Sequence, residues 1–195
     1  MLRDWRKRRG DSRPPRADFI REVLPTGGGA AELGVHRGDF AAELLDLAKP
    51  ERLHLVDLWY LFGHQWHWGE GKERSTIGAL KGVLDRFEDD LVAGRVVLHI
   101  GDDLELLPSF PDGYFDWVYV DSVHVYEHAQ RELALLAAKV RPGGVIAGDD
   151  WIEDPSHPHH GVSKAVSEFA QGGGGELVYS SADDLQWALR LPPAG

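Results

Sequence analysis

The chain has 195 residues, of which 43% are hydrophobic and 27% are charged. This length and composition predict one globular domain with a sizeable core, and they leave too little chain for a second ordinary domain. The sequence contains no cysteine, which excludes disulfides, thiolate metal sites and cysteine nucleophiles. No apolar run is long enough to span a bilayer and no secretory signal is recognisable, so we expect a soluble, cytoplasmic protein without a membrane partner.

Positive charge is concentrated at the beginning of the chain. Residues 1–16 contain seven Arg or Lys and two Asp, and because the whole chain carries −11, the rest carries −16. Nucleic-acid binding depends on neutralising phosphates, so this acidic body predicts no nucleic-acid partner. We interpret residues 1–16 as a basic, flexible arm, in preference to a phosphate-binding segment, and residues 17–195 as the single domain.

Strand and helix patterns alternate along the domain. Short apolar runs predict strands at 30–35, 52–56, 95–100, 117–120 and 144–147, and helical spacing predicts helices at 39–47, 77–87, 127–140 and 163–170. A turn at 141–143 precedes the fifth strand, and residues 176–180 and 186–191 form a closing hairpin. This order predicts an α/β fold, a Rossmann-like, doubly wound and mainly parallel seven-stranded sheet with a C-terminal antiparallel hairpin.

Acids and glycines follow the predicted parallel strands, where ligands bind in an open α/β sheet. In strand order, these residues are Gly34 and Gly38, Asp57, Asp102, Asp121, and the pair Asp149 and Asp150. Taken singly, each acid could be a helix cap or part of a solvated turn. The whole set along one edge indicates a cationic ligand, a metal ion, or both.

The loop after the first strand distinguishes between cofactors. Its glycines are spaced G-x-x-x-G, whereas a dinucleotide-binding loop has G-x-G-x-x-G. Glu32 would repel a pyrophosphate and suits an ammonium group, and Asp57 is placed to accept hydrogen bonds from a ribose. The order of strand ends places Asp102 near an adenine. A ligand with a ribose, a positive end and no phosphate fits S-adenosylmethionine better than NAD, although an NAD or nucleotide-sugar Rossmann enzyme remains the alternative.

Four segments, ELGVHRG, VDLW, GDDLELLP and YVDSVHVYEHAQRELALLAAKVRPGGVIAGDDW, resemble the class I S-adenosylmethionine-dependent methyltransferases. Within that class they are most similar to small-molecule O-methyltransferases, including macrolide-sugar and catechol enzymes, with D-G-x-H-x-Y-E after the fourth strand and D-D after the fifth. The resemblance covers residues 30–169. It departs at Ser122, where the family usually has glycine, and at Asp103, where serine or threonine is frequent. It implies methylation of a hydroxyl on a glycoside or an aromatic natural product.

The resemblance also implies roles for individual side chains. Asp121, Asp149 and Asp150 would bind Mg²⁺, with Asp121 also near the cofactor, and His124 would be the general base. Three carboxylates suit a hard ion that keeps open positions for substrate oxygens, whose pKa it lowers. An imidazole near its ordinary pKa can then accept the proton. A non-catalytic protein that retains the cofactor pocket would share these motifs.

Two further segments and the assembly remain to be assigned. Aromatic and glycine residues at 59–74 predict a lid that, with Trp151, lines a pocket for a small-molecule acceptor. The histidines at 157–160 suggest a transition-metal site, but no carboxylate near them in sequence completes the geometry, so we favour a flexible loop. The resemblance, together with seven tryptophans in a small domain, predicts a homodimer.

Overall fold

The computed structural model of the protein describes residues 16–59 and 75–195. Within these residues, the strands are β1 (Gly29–Leu33), β2 (Arg52–Asp57), β3 (Val96–Ile100), β4 (Phe115–Val120), β5 (Val140–Gly148), β6 (Glu176–Ser180) and β7 (Trp187–Arg190). They form one seven-stranded sheet in the order β3-β2-β1-β4-β5-β7-β6. Strands β1 to β5 are parallel, and β7 is antiparallel to both of its neighbours. The predicted fold class is confirmed.

Helices connect the parallel strands. They are α1 (Ala17–Val23), α2 (Asp39–Leu47), α3 (Ser75–Arg86), α4 (Glu88–Val92), α5 (Asp103–Leu106), α6 (Tyr126–Lys139) and α7 (His160–Gln171). The four predicted helices correspond to α2, α3, α6 and α7. The short helices α1, α4 and α5 were not predicted, because each spans two turns or fewer and carries too little periodicity to detect.

The predicted turn at 141–143 lies inside β5 in the structure. Phe115 pairs with Val140 and Trp117 pairs with Val145, so the residues between Val140 and Val145 bulge beside a single residue of β4. The strand therefore begins at Val140, before the turn, instead of after it. Gly143 has a φ of +73°, which accounts for the turn-like sequence at this irregularity.

The sheet separates two hydrophobic clusters, because successive side chains of a strand point to opposite faces. Trp117 and Tyr119 of β4 belong to the cluster that includes α1, α2 and α3. Val118, between them, belongs to the cluster formed with α6 and α7. In α6 the buried residues follow helical spacing: Ala129, Glu132, Leu133 and Leu136. Helices thus cover both faces, and the carboxyl edge of the parallel strands is left for a ligand.

Several expectations concern residues that the structure does not describe. The basic arm as far as residue 15 and the predicted lid beyond Trp59 lie outside the described residues. No helix in the described ranges is long and apolar enough to cross a membrane. The tryptophans of these ranges, Trp59, Trp117, Trp151 and Trp187, are all buried within the chain. They give no support to the dimer prediction, which was based partly on exposed tryptophan.

Candidate active site

The strand order reverses at β1, which pairs with β2 on one side and β4 on the other. The loop after β1 passes very close to the end of β4: a Cβ atom on Gly34 would lie 2.0 Å from the carbonyl oxygen of Asp121. Gly34 also has a φ of +84°, which disfavours any side chain. At the start of α2, a Cβ on Gly38 would lie 2.7 Å from the ring of Phe87. Both predicted glycines are therefore required by packing of the loop at the reversal point.

Asp57 holds this loop in place. Its Oδ2 accepts hydrogen bonds from the backbone amides of Val35 and His36, each at 2.8 Å, and its Oδ1 accepts one from Trp59 at 2.7 Å. A carboxylate offers about four acceptor positions, so three bonds leave capacity for a further donor such as a ribose hydroxyl. The residue predicted to contact the ribose thus also fixes the shape of the loop.

Glu32 is a buried acid at the carboxyl end of β1. It is 1% exposed, and its Oε2 has no hydrogen-bond partner among the described residues. Burial raises the pKa of Glu32 well above its ordinary value, and the charge of Asp121 adds to that effect. A cationic group that reached this oxygen would compensate for the buried charge, so the environment suits the ammonium group of an amino acid.

Asp121 and Asp149 share one cation, the guanidinium of Arg16. Nη1 of Arg16 lies 3.4 Å from Oδ2 of Asp121, and Nη2 bonds to Oδ2 of Asp149. Burial, followed by repulsion from Asp149, raises the pKa of Asp121 to about 7. Asp149 also accepts a hydrogen bond at 2.7 Å from the side chain of Gln186 on the strand-β7 side. The ends of β4 and β5 are therefore joined by a cation that comes from the residue before α1.

Asp150 has different partners from the adjacent Asp149. Its Oδ2 lies 2.5 Å from Nδ1 of His124 and 3.2 Å from Nδ1 of His159. The two imidazole rings stack with centroids 4.7 Å apart and planes at 19°. Burial acts to lower the pKa of His124, but the hydrogen bond and charge of Asp150 outweigh it and raise that pKa above the ordinary value. Asp150 thus fixes the ring through Nδ1 and leaves Nε2 of His124 available.

The three carboxylates predicted to hold Mg²⁺ do not converge in the structure. Asp121 and Asp149 bond to Arg16, whereas Asp150 bonds to His124 and His159. The described side chains that are close enough to share an ion near this edge are instead His124, Asp150 and His159. This arrangement does not fit the predicted all-carboxylate site.

Asp102 and Asp103 have separate structural roles at the end of β3. Oδ1 of Asp102 accepts a hydrogen bond from the amide of Leu104 at 2.9 Å and caps α5. Asp102 was predicted to lie near an adenine. In the structure it lies two residues after the end of β3, at the carboxyl edge of the parallel strands. Asp103 is buried and points the other way, toward α6.

A buried polar cluster that no sequence pattern predicted lies beside the site. His128 of α6 lies 3.0 Å from Oδ1 of Asp103 and 3.6 Å from Oε1 of Glu132, and Ser122 donates a hydrogen bond to Glu132. Burial opposes protonation of His128, but its bonds to the two carboxylates raise its pKa to about 10. Ser122, which replaces the usual glycine, therefore has a partner. The signal that could have revealed the cluster is Glu132 itself, an acid on the apolar stripe of α6.

A narrow cleft lies between these groups, with about 20 Å³ of free space, which is room for about one water molecule. Its lining includes Ser122, His124, Glu132 and Asp149 together with apolar side chains of β4, α6 and α7. Tyr126 takes no part in it, since its hydroxyl bonds to Glu168 and Gln130 on the outer surface of α6 and α7. The cleft places an apolar wall beside His124 but is too small to hold an organic acceptor.

Known proteins provide an independent comparison. A family model described as a methyltransferase domain matches residues 31–151. No curated protein sequence matches the chain significantly. Among solved structures, the N-methyltransferase NodS from Bradyrhizobium japonicum WM9 superposes with a TM-score of 0.62 at 14% identity, covering 98% of this chain and 99% of that one.

Two more structures share the fold. A candidate rRNA methylase from Clostridium thermocellum gives a TM-score of 0.62 at 13% identity, covering 92% of this chain and 94% of that chain. An O-methyltransferase family protein from Burkholderia thailandensis gives 0.59 at 15% identity, covering 93% of this chain and 56% of its own. The names of these proteins indicate different methyl acceptors: an rRNA, a nitrogen atom and an oxygen atom. The shared fold therefore does not identify the methyl acceptor of this chain.

Proposed function

Because the chain belongs to the methyltransferase domain family, we propose that it transfers the methyl group of S-adenosylmethionine to a hydroxyl of a small molecule. The matched residues run from β1 to the residue after Asp150, and so include both the glycine loop and the acids after β4 and β5. The alternative of an NAD or nucleotide-sugar enzyme is not favoured. The observation that carries the oxygen specificity is the His124–Asp150 pair after β4 and β5.

The residues at the reversal point suit the cofactor. Gly34 and Gly38 shape the loop, Asp57 has capacity for a ribose hydroxyl, and the unpartnered Oε2 of Glu32 suits the ammonium group. Asp102 follows β3 and Asp121 follows β4, with β2 and β1 between them in the sheet, and we assign these acids to the adenine and methionine portions. When bound there, S-adenosylmethionine supplies an electrophilic methyl group, whose transfer to a hydroxyl releases the proton of that hydroxyl.

His124 is the residue that we assign to this proton. Asp150 accepts the Nδ1 proton of the ring at 2.5 Å, which leaves the lone pair of neutral His124 on Nε2. An orienting carboxylate fixes the tautomer and stabilises the imidazolium that forms when Nε2 takes the substrate proton. A hydroxyl is a better match for such a base than an amine, which is nucleophilic without prior loss of its proton.

The sequence also predicts that Mg²⁺ assists this step through Asp121, Asp149 and Asp150. Since Arg16 and two histidines are bonded to these carboxylates, we assign no step to Mg²⁺, and its requirement stays a prediction. Activity that is fully retained in excess chelator, with Mg²⁺ shown to be absent, would contradict it.

The experiment that tests the proposed function combines a substrate search with one variant. A radiolabelled methyl group from S-adenosylmethionine should be transferred to a small molecule in an extract, and NMR of the purified product should show the methyl group on oxygen. With that acceptor, His124→Ala should lower turnover by about 10² to 10⁴ and leave cofactor affinity nearly unchanged. Raising the pH should partly restore its rate, because hydroxide can replace the missing base.

His157→Ala is the matched control, since His157 belongs to the same histidine-rich neighbourhood but does not contact Asp150. It should retain wild-type turnover. Normal turnover in His124→Ala would refute the base assignment, and label found on nitrogen would refute the oxygen specificity. No calorimetric signal with S-adenosylmethionine would refute the cofactor.

A further inference from the structure

The histidine-rich segment 157–160 closes the loop between β5 and α7, and only one acid of that loop faces it closely: Glu153 accepts a hydrogen bond from Trp151 and Asp154 from Ser156, whereas Asp150 contacts His159. Each of its histidines has a different contact. Nδ1 of His157 accepts a hydrogen bond from the amide of His159 at 3.1 Å, and Nδ1 of His160 lies 2.9 Å from the carbonyl oxygen of Ile152. Nδ1 of His159 alone among the three faces Asp150. The loop therefore presents one imidazole to the acid at the end of β5.

His124 reaches the same carboxylate from the loop after β4. The ligand atoms of His124, Asp150 and His159 all lie within 4.8 Å of one another. Metal–ligand bonds of about 2.0–2.2 Å place neighbouring ligand atoms about 3 Å apart in tetrahedral or octahedral sites. The distances of 2.5 Å and 3.2 Å from Oδ2 of Asp150 to the two Nδ1 atoms bracket that value. Small side-chain movements would admit an ion.

Asp150 has an uncommon backbone conformation and is accessible from solvent. Its φ of +62° lies in the left-handed region that aspartate tolerates better than most residues. Its carboxylate contacts the two histidines, whereas that of Asp149 contacts Arg16. The side chains of His124, Asp150 and His159 are 24%, 13% and 43% exposed, so an ion has a path from solvent.

From this geometry we propose that His124, Asp150 and His159 form a binding site for a borderline divalent transition-metal ion, such as Zn²⁺, Co²⁺ or Ni²⁺. Two imidazoles and one carboxylate are the donors that such ions prefer, whereas Mg²⁺ prefers oxygen alone. Three protein ligands leave coordination positions open for water or another ligand. The site is distinct from the predicted Mg²⁺ site in its donors and in requiring neither Asp121 nor Asp149.

This inference goes beyond the proposed methyl transfer and does not depend on it. Binding of the ion to Nδ1 of His124 replaces the hydrogen bond to Asp150 that orients the ring. The ion and the base function therefore compete for His124. The test below measures metal binding alone, so its failure leaves the proposed methyl transfer untouched.

Titration of the full chain with Co²⁺ tests the site through the visible absorption of the ion, which depends on its ligands and coordination geometry. We expect one saturable Co²⁺ per chain that excess Mg²⁺ does not displace. His159→Ala and Asp150→Asn should each weaken Co²⁺ binding by at least about tenfold, since even the loss of an outer-shell partner typically costs that much. Asparagine tolerates the left-handed backbone at position 150, and His159 is partly exposed, so both variants should fold.

Two matched variants locate the ion. His157→Asn keeps an acceptor for the amide of His159, and Asp149→Asn alters only the carboxylate beside Asp150. Both should bind Co²⁺ with wild-type affinity. The proposal is overturned if the wild-type chain shows no saturable Co²⁺ binding, or if His159→Ala binds Co²⁺ normally. Loss of binding in Asp149→Asn, with retention in His159→Ala, would place the ion on the carboxylates instead. Circular dichroism of each variant checks the fold, and His159→Gln replaces His159→Ala if that variant unfolds.

Discussion

At the scale of single residues, two adjacent aspartates after β5 have separate environments. Asp149 bonds to Arg16 and Gln186, whereas Asp150 bonds to His124 and His159. The two residues also differ in backbone conformation, since Asp150 has a φ of +62°, in the left-handed region. A D-D motif in a sequence predicts that two carboxylates lie at one strand end. It does not predict that they act together.

The close approach of Gly34 to the backbone of Asp121 makes this position sensitive to substitution. Gly34→Ala should destabilise the fold by about 3 kcal/mol or more, because the left-handed backbone costs about 1 kcal/mol and the clash with Asp121 adds the cost of overpacking. Gly27→Ala is the matched control, since Gly27 has a φ of +81° but nothing within 4 Å of an added Cβ. Urea unfolding measures both variants. Equal losses of unfolding free energy would contradict the close approach of the β1 and β4 ends.

At the scale of secondary-structure elements, α6 carries a polar group on its buried face. Its stripe of Ala129, Glu132, Leu133 and Leu136 packs under the sheet, and Glu132 is 1% exposed. The acid is tolerated because His128, one turn earlier, and Ser122, at the end of β4, both bond to it. The cluster joins α5, the β4 loop and α6 below the cleft.

Removing the cation of this cluster should therefore be costly. His128→Ala should lower the unfolding free energy at pH 7 by about 2–3 kcal/mol, because it leaves Asp103 and Glu132 buried without their shared partner. Arg131→Ala, on the exposed face of the same helix, is the control and should change stability by less than about 0.5 kcal/mol. Urea unfolding compares the two. Similar effects would show that the cluster contributes little to stability.

The neighbouring strands β2 and β3 contain a histidine pair, of which His54 is buried and His99 is half-buried. Nδ1 of His54 lies 2.8 Å from Nε2 of His99, and Nε2 of His54 lies 3.1 Å from the hydroxyl of Tyr114. Burial, followed by repulsion from His99, lowers the pKa of His54 from 6.5 to about 4. The folded chain therefore binds this proton less readily than the unfolded chain does.

The lowered pKa of His54 in the folded chain determines how the free energy of unfolding changes with pH. The contribution of neutral His54 to stability is complete above pH 6.5 and is lost as the pH falls toward 4, because the unfolded state takes up the proton first. Between pH 7.5 and 5, the wild type should lose about 2 kcal/mol more unfolding free energy than His54→Phe does. Urea unfolding at the two pH values tests this, with the exposed-histidine variant His157→Ala as the control. An equal loss in wild type and His54→Phe would contradict the lowered pKa.

At the scale of the whole molecule, sheet order determines which side chains meet. The reversal between β1 and β4 brings Glu32 and Gly34 beside Asp121, and the pairing of β4 with β5 brings Asp149 beside them. Arg16, which we predicted to belong to a flexible basic arm, bonds to both Asp121 and Asp149 from near the beginning of the sequence. Its guanidinium also lies 4.8 Å from the ring of Phe40.

The oligomeric state is a property of the whole molecule. Family resemblance predicts a homodimer, and sedimentation at micromolar concentration should show a species of twice the 21.7 kDa chain mass. Because the tryptophans of the described ranges are buried, their intrinsic fluorescence should not change on dilution. A species of one chain mass alone would refute the dimer.

Local sequence patterns were sufficient to predict the fold class, the helices α2, α3, α6 and α7, and the strand ends at which the candidate site lies. They were sufficient because apolar periodicity is local and because parallel strands bring their carboxyl ends to one edge. They also identified Asp121, His124, Asp149 and Asp150 as neighbours at that edge. The residues of the His128 cluster were missed, since their relation depends on helix packing.

Which of these four residues bond to a common side chain depends on the tertiary structure. The bridge from Arg16 to Asp121 and Asp149 spans more than 100 residues, and no local pattern encodes a contact over that separation. The carboxylate that contacts the histidine-rich segment is Asp150, although Glu153 and Asp154 are nearer to that segment in sequence. Residue types and strand ends follow from short-range regularities, whereas partner choice depends on side-chain direction and on contacts between distant segments.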